Sequence, residues 1–417
     1  KVDIPNSLKE WRVITQIQSK SLFQLLKLAA KHIDINERLP VQQIVAGSMF
    51  GGYFGRGPKS ISGIPTAGSH CGFLKALGKE WNGLHVRALD FDDQLLDSEI
   101  VTRILRELTY SGNEIEVGYP EGDRTIFQPV QTALNDAQDQ DQGTNDLGEN
   151  AVVLATGGAK GITAEICKSI AVKSMTLILI GRSEQANLEL KPDGVYNESF
   201  AELKEKGVSV EYRSVDVLNE PDFKALIDDI YDTYGRLDAV IHGAGVIEDG
   251  NIETKELESF DKVFDTKVDT AFLLYKYLRP ESLKLLVFFG SVSGRFGNQG
   301  QTDYAAANEV LNRFAWYLRN QWPSTRILTI NWGPWSMLGM ASPMVIRLLK
   351  SQGMEPIHPK EGCDFFLREI KLGQYESAEV IAGDGPWGKL PAPSQTEPSL
   401  GDVMNLTSGY FNEALFE

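Results

Sequence analysis

Six apolar runs, AVVLATGG, TLILIGRS, VEYRSVDV, LDAVIHGAG, LLVFFGSVS and RILTINWG, follow one another from residue 151 to residue 333 with amphipathic helical stretches between them. Their apolar residues do not alternate with polar ones, so each strand must be covered on both faces. The helices between the strands supply that cover. The pattern predicts a parallel sheet in a doubly wound α/β fold.

Ahead of these runs, AQDQDQGTNDLGEN (residues 137 to 150) offers almost nothing to a core and reads as a linker. The segment on its amino-terminal side holds a partial copy of the segment on its carboxyl side. With Trp81 set against Trp322, an offset of 241, LKALGKEW falls on AWYLRNQW and HVRALDF falls on RILTINW. Upstream, QIVAGSMFGGYFG resembles VFFGSVSGRFG once a gap of about two residues is allowed. Both copies predict strand, Gly-rich loop, helix, strand. The glycines of MFGGYFGRG admit a second reading, as a phosphate cradle, but the repeat accounts for them as a loop inherited without its chemistry. Three units are therefore expected: a degenerate, non-catalytic structural half over residues 1–148, a cofactor-binding catalytic half over 149–390, and a linker or short helix over 391–417.

VVLATGGAKGITAEI runs from a buried strand through Gly157, Gly158 and Gly161 into a helix. Glycines at such a turn let the backbone approach a pyrophosphate seated at the positive end of the helix. Thr156, Lys160 and Ile162 belong to the same loop, and Thr163 stands where many such loops place a further Gly. The second strand ends in Gly181-Arg182-Ser183. An acidic residue there would hold the ribose hydroxyls of NAD, whereas Arg182 neutralises the additional phosphate of NADP, with Lys160 adding to the charge. NADPH is the cofactor expected. Asp216, with Val217 after it, closes the third strand either as an acceptor for the adenine amino group or as a cap. Gly243, Ala244 and Gly245 follow the fourth strand and are expected beneath the nicotinamide ribose, while Gly333 and Pro334 end the sixth beside the nicotinamide.

Carbonyl reduction leaves charge on an oxygen, so it needs a proton donor, an oxyanion hydrogen bond and a group that lowers the donor's pKa. GQTDYAAANEV offers Tyr304 as the donor, with Asn308 one helical turn later where a dehydrogenase helix usually carries Lys. Ser291 ends the fifth strand thirteen residues before Tyr304, and the loop between can fold back to bring its hydroxyl beside the phenol. A cap or turn role is its alternative. The cation has its candidate in FDTKVDTAF, where Lys267 lies on a neighbouring amphipathic helix. Alone it would read as a solvated surface charge.

Taken together, TGGAKGIT, LIGRS, HGAGVIEDG, TKVDTAF, FFGSVSGRFGNQGQTDYAAANEVLNRFA and INWGPW, over about residues 150 to 388, resemble the ketoreductase domain of a type I polyketide synthase or a related polyunsaturated fatty acid synthase. That family is a branch of the short-chain dehydrogenase/reductase superfamily, with a Rossmann fold. In it Lys and Asn exchange the positions they hold elsewhere in the superfamily, and Lys267, Ser291, Tyr304 and Asn308 match its four catalytic positions. The first half resembles the truncated, Rossmann-like structural subdomain that precedes such domains. The resemblance implies NADPH-dependent reduction of a 3-oxoacyl chain to a 3-hydroxyacyl chain. The acyl chain would ride on the phosphopantetheine arm of an acyl carrier protein, among neighbouring synthase domains.

Asp249 in VIEDG matches the aspartate that marks B-type members, which make the D-configured hydroxyl, while Ile247 and Glu248 depart from the motif's other two letters. Phe296 stands where A-type members carry Trp. After the sixth strand, Trp335 and Met340 are expected near the substrate, and Met337, Leu338, Met340 and Met344 either line an adaptable acyl channel or belong to an ordinary core. MVIRLLKSQ reads as a short lid helix whose Arg347 and Lys350 would meet the phosphopantetheine phosphate or an acidic carrier protein.

The net charge of -16 argues against a nucleic-acid partner, whose phosphates require clustered Lys and Arg. No stretch approaches about 18 uncharged apolar residues, so no membrane span is expected. Cys71, Cys167 and Cys363 form no CxxC pair, which points to a reducing, cytoplasmic setting without a metal site. The opening KVDIPNSLKEW has neither Met nor a leader and reads as part of a longer polypeptide. Two other readings stay open: a free-standing short-chain dehydrogenase acting on a small alcohol, and a catalytically silent scaffold domain.

Overall fold

The computed structural model describes residues 4–31, 43–57, 63–130, 147–183, 203–338, 346–347, 350–351, 355–373 and 377–383. The first part runs through helices α1 (Leu8–Thr15) and α2 (Ser21–Ala30), then β1 (Gln43–Ser48), α3 (Ser69–Glu80), β2 (His85–Phe91), α4 (Asp97–Thr109), β3 (Glu116–Tyr119) and β4 (Thr125–Ile126). Its four strands form a sheet in sequence order, parallel from β1 to β3, with β4 returning antiparallel. Leu89, Phe91, Val117 and Tyr119 form a small core on this sheet, joined by Ile100 and Ile104 of α4.

The second part contains β5 (Val152–Thr156), α5 (Gly161–Ile170), β6 (Thr176–Gly181), β7 (Ser209–Ser214), α6 (Glu220–Tyr234), β8 (Ala239–His242), α7 (Leu257–Tyr277), β9 (Leu285–Ser291), α8 (Val292–Phe296), α9 (Thr302–Gln321), β10 (Arg326–Trp332), α10 (Pro359–Leu372) and β11 (Glu379–Ala382). Its seven strands are all parallel, in the order β11-β10-β9-β8-β5-β6-β7. Chain order reverses between β5 and β8, and that reversal opens a crevice at the carboxyl ends of these strands. All six expected strands are present, and their unbroken apolar runs are explained by burial on both faces. The seventh, β11, adds an edge that the sequence pattern did not predict.

The internal repeat is real in three dimensions. At the offset of 241, β2 and β10 share both bounds and α3 and α9 share their ends, while β1 and β9 each finish on a serine, Ser48 and Ser291. The relation reaches strands that the sequence comparison left out. Glu116 of β3 pairs with Ala88 of β2, and Glu379 of β11 pairs with Thr329 of β10; Ala88 and Thr329 are again 241 apart. α3 lies directly on α9, so close that a β-carbon at Gly72 would collide with the Ala305 carbonyl.

Between the two sheets these elements bury a set of charges. Glu116 receives Arg56 at 2.5 Å, Lys75 at 2.7 Å and Arg295 at 3.1 Å. Arg295 and Arg56 also reach Glu379, at 3.0 and 3.2 Å, and Arg313 pairs with Glu309 and donates to the Phe54 carbonyl. Burial alone would raise both acids, but Arg295 and Arg56 hold Glu116 well below the usual carboxylate range and Glu379 at about 2. The pairs satisfy one another across the junction, so each part depends on the other for charge compensation.

Residues 137–146 of the expected linker, and all of 391–417, lie outside the described residues. Among the described residues, no helix is long and apolar enough to cross a membrane.

Candidate active site

Four elements converge at the carboxyl end of the large sheet. β9 ends at Ser291, whose Oγ caps α8 by accepting the Ser293 N–H at 3.1 Å, as the cap reading expected. α9 begins two residues before Tyr304 and carries Tyr304 and Asn308 on its first two turns. α7 crosses beneath and brings Lys267, 3% exposed, to 5.6 Å from the centre of the Tyr304 ring. All four candidate catalytic residues therefore lie together. Lys267 Nζ donates to the Phe289 carbonyl at 2.7 Å, and Asn308 Nδ2 donates to the Tyr304 carbonyl at 2.7 Å, leaving Asn308 Oδ1 buried without a partner.

Burial sets the protonation of this group. It pushes the Tyr304 phenol up to about 12, against hydrogen bonds from Asn308 and Ser291, and drives Lys267 down to about 7. At neutral pH the phenol keeps its proton and the ammonium is poised to lose its own.

The Gly-rich loop between β5 and α5 has the conformation a dinucleotide site requires. Gly157 has a φ of +66°, and a β-carbon on it would stand 3.0 Å from the backbone of Ala244; Gly161 has a φ of +62° with open space beside it. Gly158 turns beneath β6, Lys160 is an exposed N-cap in extended conformation, and Ile162 lies in the first turn of α5. Thr163 takes the place of a further glycine by packing its side chain onto Gly243. Arg182 and Ser183 are exposed at the end of β6, and Asp216 is exposed after β7, where its Oδ1 caps the turn through the Leu218 N–H at 3.0 Å. Val217 is buried in the core. A β-carbon on Gly245 would stand 3.1 Å from the Lys267 side chain, and the Gly333 N–H donates to Ala382 at 2.8 Å, which ties the end of β10, with Pro334, to β11. These residues fit a dinucleotide, since backbone is bared where pyrophosphate would pass and cations stand at the outer end.

Residues 151–337 match the family model described as the KR domain. This part of the chain belongs to the KR family. Of the curated relatives, polyketide synthase PksN of Bacillus subtilis is 29% identical over 75% of the chain, which spans only 6% of that synthase. A polyunsaturated fatty acid synthase component of a Thraustochytrium species is 28% identical over 76% of the chain, which spans 13% of it. Among solved structures, a ketoreductase domain from the bacillaene assembly line is 24% identical with a TM-score of 0.70, covering 91% of this chain and 85% of that one. A multidomain structure of a keto acid-selecting module, with adenylation and ketoreductase parts, is 21% identical with a TM-score of 0.77 over 93% of this chain and 31% of that one. The structural likenesses establish the fold, and they extend well beyond the KR match itself.

Several residues of this KR domain escaped the sequence reading. His242 is fully buried, and burial together with Lys267 brings it down to about 3, so it is neutral. Its Nε2 faces the Lys267 carbonyl at 3.1 Å and must carry the proton, which leaves Nδ1 to accept from Thr156 Oγ1 at 2.7 Å. Thr156 Oγ1 in turn accepts the Ala244 N–H at 3.1 Å, so one chain of hydrogen bonds joins the cofactor loop to the helix of Lys267. A histidine ending an otherwise apolar strand was the available signal. Lys255, also buried, holds Asp303 at 2.7 Å, and Asp303 accepts the Tyr304 N–H at 2.8 Å. Gln301 donates to Asp249 at 3.0 Å and accepts from Ser293 at 2.8 Å, fixing the VIEDG loop to α8.

Of the residues expected near the substrate, Asp249 is exposed at the mouth and Phe296 is half-buried at the end of α8. Trp335 is not brought there: its ring packs 5.2 Å from Trp332 and over Gly362, 1% exposed, as part of the core beneath β10. Met340 and Met344 lie outside the described residues, as does most of the expected lid helix. Met337 is exposed, Leu338 packs on the core, and Arg347 is exposed. Lys350 is paired with Glu355 at 3.6 Å.

Proposed function

We propose that this chain reduces a 3-oxoacyl thioester to the 3-hydroxyacyl thioester with NADPH, the acyl chain being presented on the phosphopantetheine arm of an acyl carrier protein within a multidomain synthase. The single observation that carries the reading is the burial of Lys267 beneath the Tyr304 ring from a separate helix, with Asn308 in the turn after Tyr304. That is the Lys and Asn exchange expected of the ketoreductase branch. When bound, the nicotinamide supplies the hydride to the carbonyl carbon. Ser291 and Tyr304 hold the carbonyl oxygen between them, and the Tyr304 hydroxyl gives that oxygen its proton. The Lys267 charge then stabilises the tyrosinate left behind. At 5–6 Å and an effective dielectric of ~20 a unit charge is worth about 3 kcal/mol, or about two pK units, enough to matter for a phenol raised by burial.

NADPH rather than NADH is the reading supported by Arg182 and Lys160, both exposed at the adenosine end, with Arg182 directly after β6 where an acidic residue would favour NAD. The amino-terminal half is read as structural: the repeat accounts for its Gly-rich loop, and Gly63 and Ala67 stand at the offset positions of Tyr304 and Asn308. Asp249, held by Gln301, supports a D-configured product. Loss of NADPH absorbance with a panel of 3-oxoacyl thioesters, followed by chiral chromatography of each product, tests all of this. The expected outcome is thioester-dependent oxidation and the D-alcohol; an L-alcohol would overturn the stereochemical part, and no turnover on any thioester would overturn the whole.

A further inference from the structure

Lys79 and Glu80 at the end of α3, and Trp81 just after it, all reach out of the amino-terminal half. Glu80 Oε2 accepts the Ile252 N–H at 2.8 Å, and its Oε1 accepts the Gly300 N–H at 3.1 Å. Lys79 donates to the Gly297 carbonyl at 2.9 Å, and Trp81 Nε1 to Glu253 at 2.6 Å. Their partners fall in only two loops. One follows Asp249, and the other leads from α8 to Tyr304. The loops also touch each other, the Gly250 N–H donating to the Gly300 carbonyl at 2.9 Å.

Nothing about α3 itself calls for a carboxylate at this position. An acid in the last turn of a helix faces the negative end of its dipole. Burial raises Glu80 to about 7, with Glu253 adding to the rise and Lys255 opposing it. At the offset of 241 the sister helix α9 has Asn320 and Gln321 where α3 has Lys79 and Glu80, while the tryptophan is kept as Trp322. The charged pair thus belongs to one copy alone, the copy that faces the loops of the other.

We propose that Glu80 is a positioning residue contributed to the active site by the amino-terminal half: its two oxygens set the spacing between the Asp249 loop and the approach to Tyr304, and so fix which face of the ketone is presented for reduction. This inference rests on the ketoreductase reading above. A carboxylate suits the task because both its oxygens accept, whereas an amide leaves one acceptor and alanine none. Displacement of either loop by about 1 Å is enough to cost on the order of 100-fold in rate.

The test uses the full chain as wild type, Glu80→Gln and Glu80→Ala, with a short 3-oxoacyl thioester as substrate. Four quantities are read: kcat, KM, the ratio of D to L product, and the NADPH dissociation constant by fluorescence titration. In Glu80→Ala the D to L ratio is expected to fall about tenfold or more and kcat/KM by about 10- to 100-fold, with NADPH affinity within about twofold of wild type. Glu80→Gln is expected to fall between the two. Glu80→Ala that binds NADPH yet keeps the wild-type product ratio and kcat/KM overturns the proposal. If Glu80→Ala does not fold, the product ratio of Glu80→Gln decides, an unchanged ratio overturning it. An inactive wild type instead removes the ketoreductase reading, and this inference with it.

Discussion

The two copies of strand, loop, helix and strand share the bounds of their second strand and the end of their helix, and they differ in what they do with the same frame. In the second, β9 and α9 bring Ser291, Tyr304 and Asn308 together over Lys267. In the first, β1 and α3 keep the serine at the strand end, but Gly63 and Ala67 replace the other two, and α3 instead extends charged side chains toward its sister. Ser48 shows how the change was accommodated: its hydroxyl donates to the buried Asp90 at 2.7 Å, and the other Asp90 oxygen accepts the Phe54 N–H at 2.7 Å. The loop that leads from Ser291 to Tyr304 in one copy has a counterpart that is closed on itself in the other.

Five experiments would break or sharpen this contrast. The largest effect is expected from Tyr304→Phe, which keeps NADPH affinity but lowers turnover by about 10²–10⁴-fold, the usual worth of a positioned proton donor; near-normal turnover in a stopped-flow assay would sink the assignment. Next comes Arg313→Ala, which takes from the buried Glu309 one guanidinium partner, leaving Arg295 at 3.3 Å, and takes from the Phe54 carbonyl its donor; it is expected to cost about 3 kcal/mol in urea denaturation. The same junction has a pH signature. Glu379 lies below the ordinary 4.5, so its contribution is complete above that pH and is lost as pH falls toward 2, and acid unfolding should begin in that window.

A smaller effect is expected from pH on catalysis. Lys267, lowered to about 7 by burial, is charged below that pH and neutral above it, so kcat/KM for reduction should decline by about tenfold as pH rises through 7. Lys267→Met should flatten that limb; an identical profile in the variant would show that another group governs it. The smallest effect closes the comparison: Ala67→Asn, placing in the first copy the residue found at Asn308, should leave turnover unchanged and shift stability in urea denaturation by no more than about 0.5 kcal/mol.

The strands of the large sheet were legible because burial on two faces leaves unbroken apolar runs, and Gly157 and Gly161 were legible because only glycine tolerates their backbone. Short strands were not. EVGY of β3 and EVIA of β11 are four residues each, begin with the glutamate that the junction needs, and look like exposed edges in a linear reading. The same holds for Arg56, Lys75, Arg295 and Arg313, which read as surface charge until the two parts are brought together. Lys267 carries no local sign of its role, and its place came from the resemblance to a family rather than from spacing. Trp335 was misjudged as a substrate contact because an aromatic after a sheet strand serves a core as readily as a pocket.

The charge junction also decides where such a protein can be cut. The KR match runs from residue 151 to 337, and a fragment with those ends would keep Arg295, Glu309 and Arg313 but discard Arg56, Lys75, Glu116 and Glu379. Surfaces made to meet each other would then face water, and α9, which carries Tyr304, would lose the helix it rests on. For anyone exchanging reductive units between synthases, the transferable piece has to include both sheets, from α1 through β11, because the seam between them is interior rather than boundary.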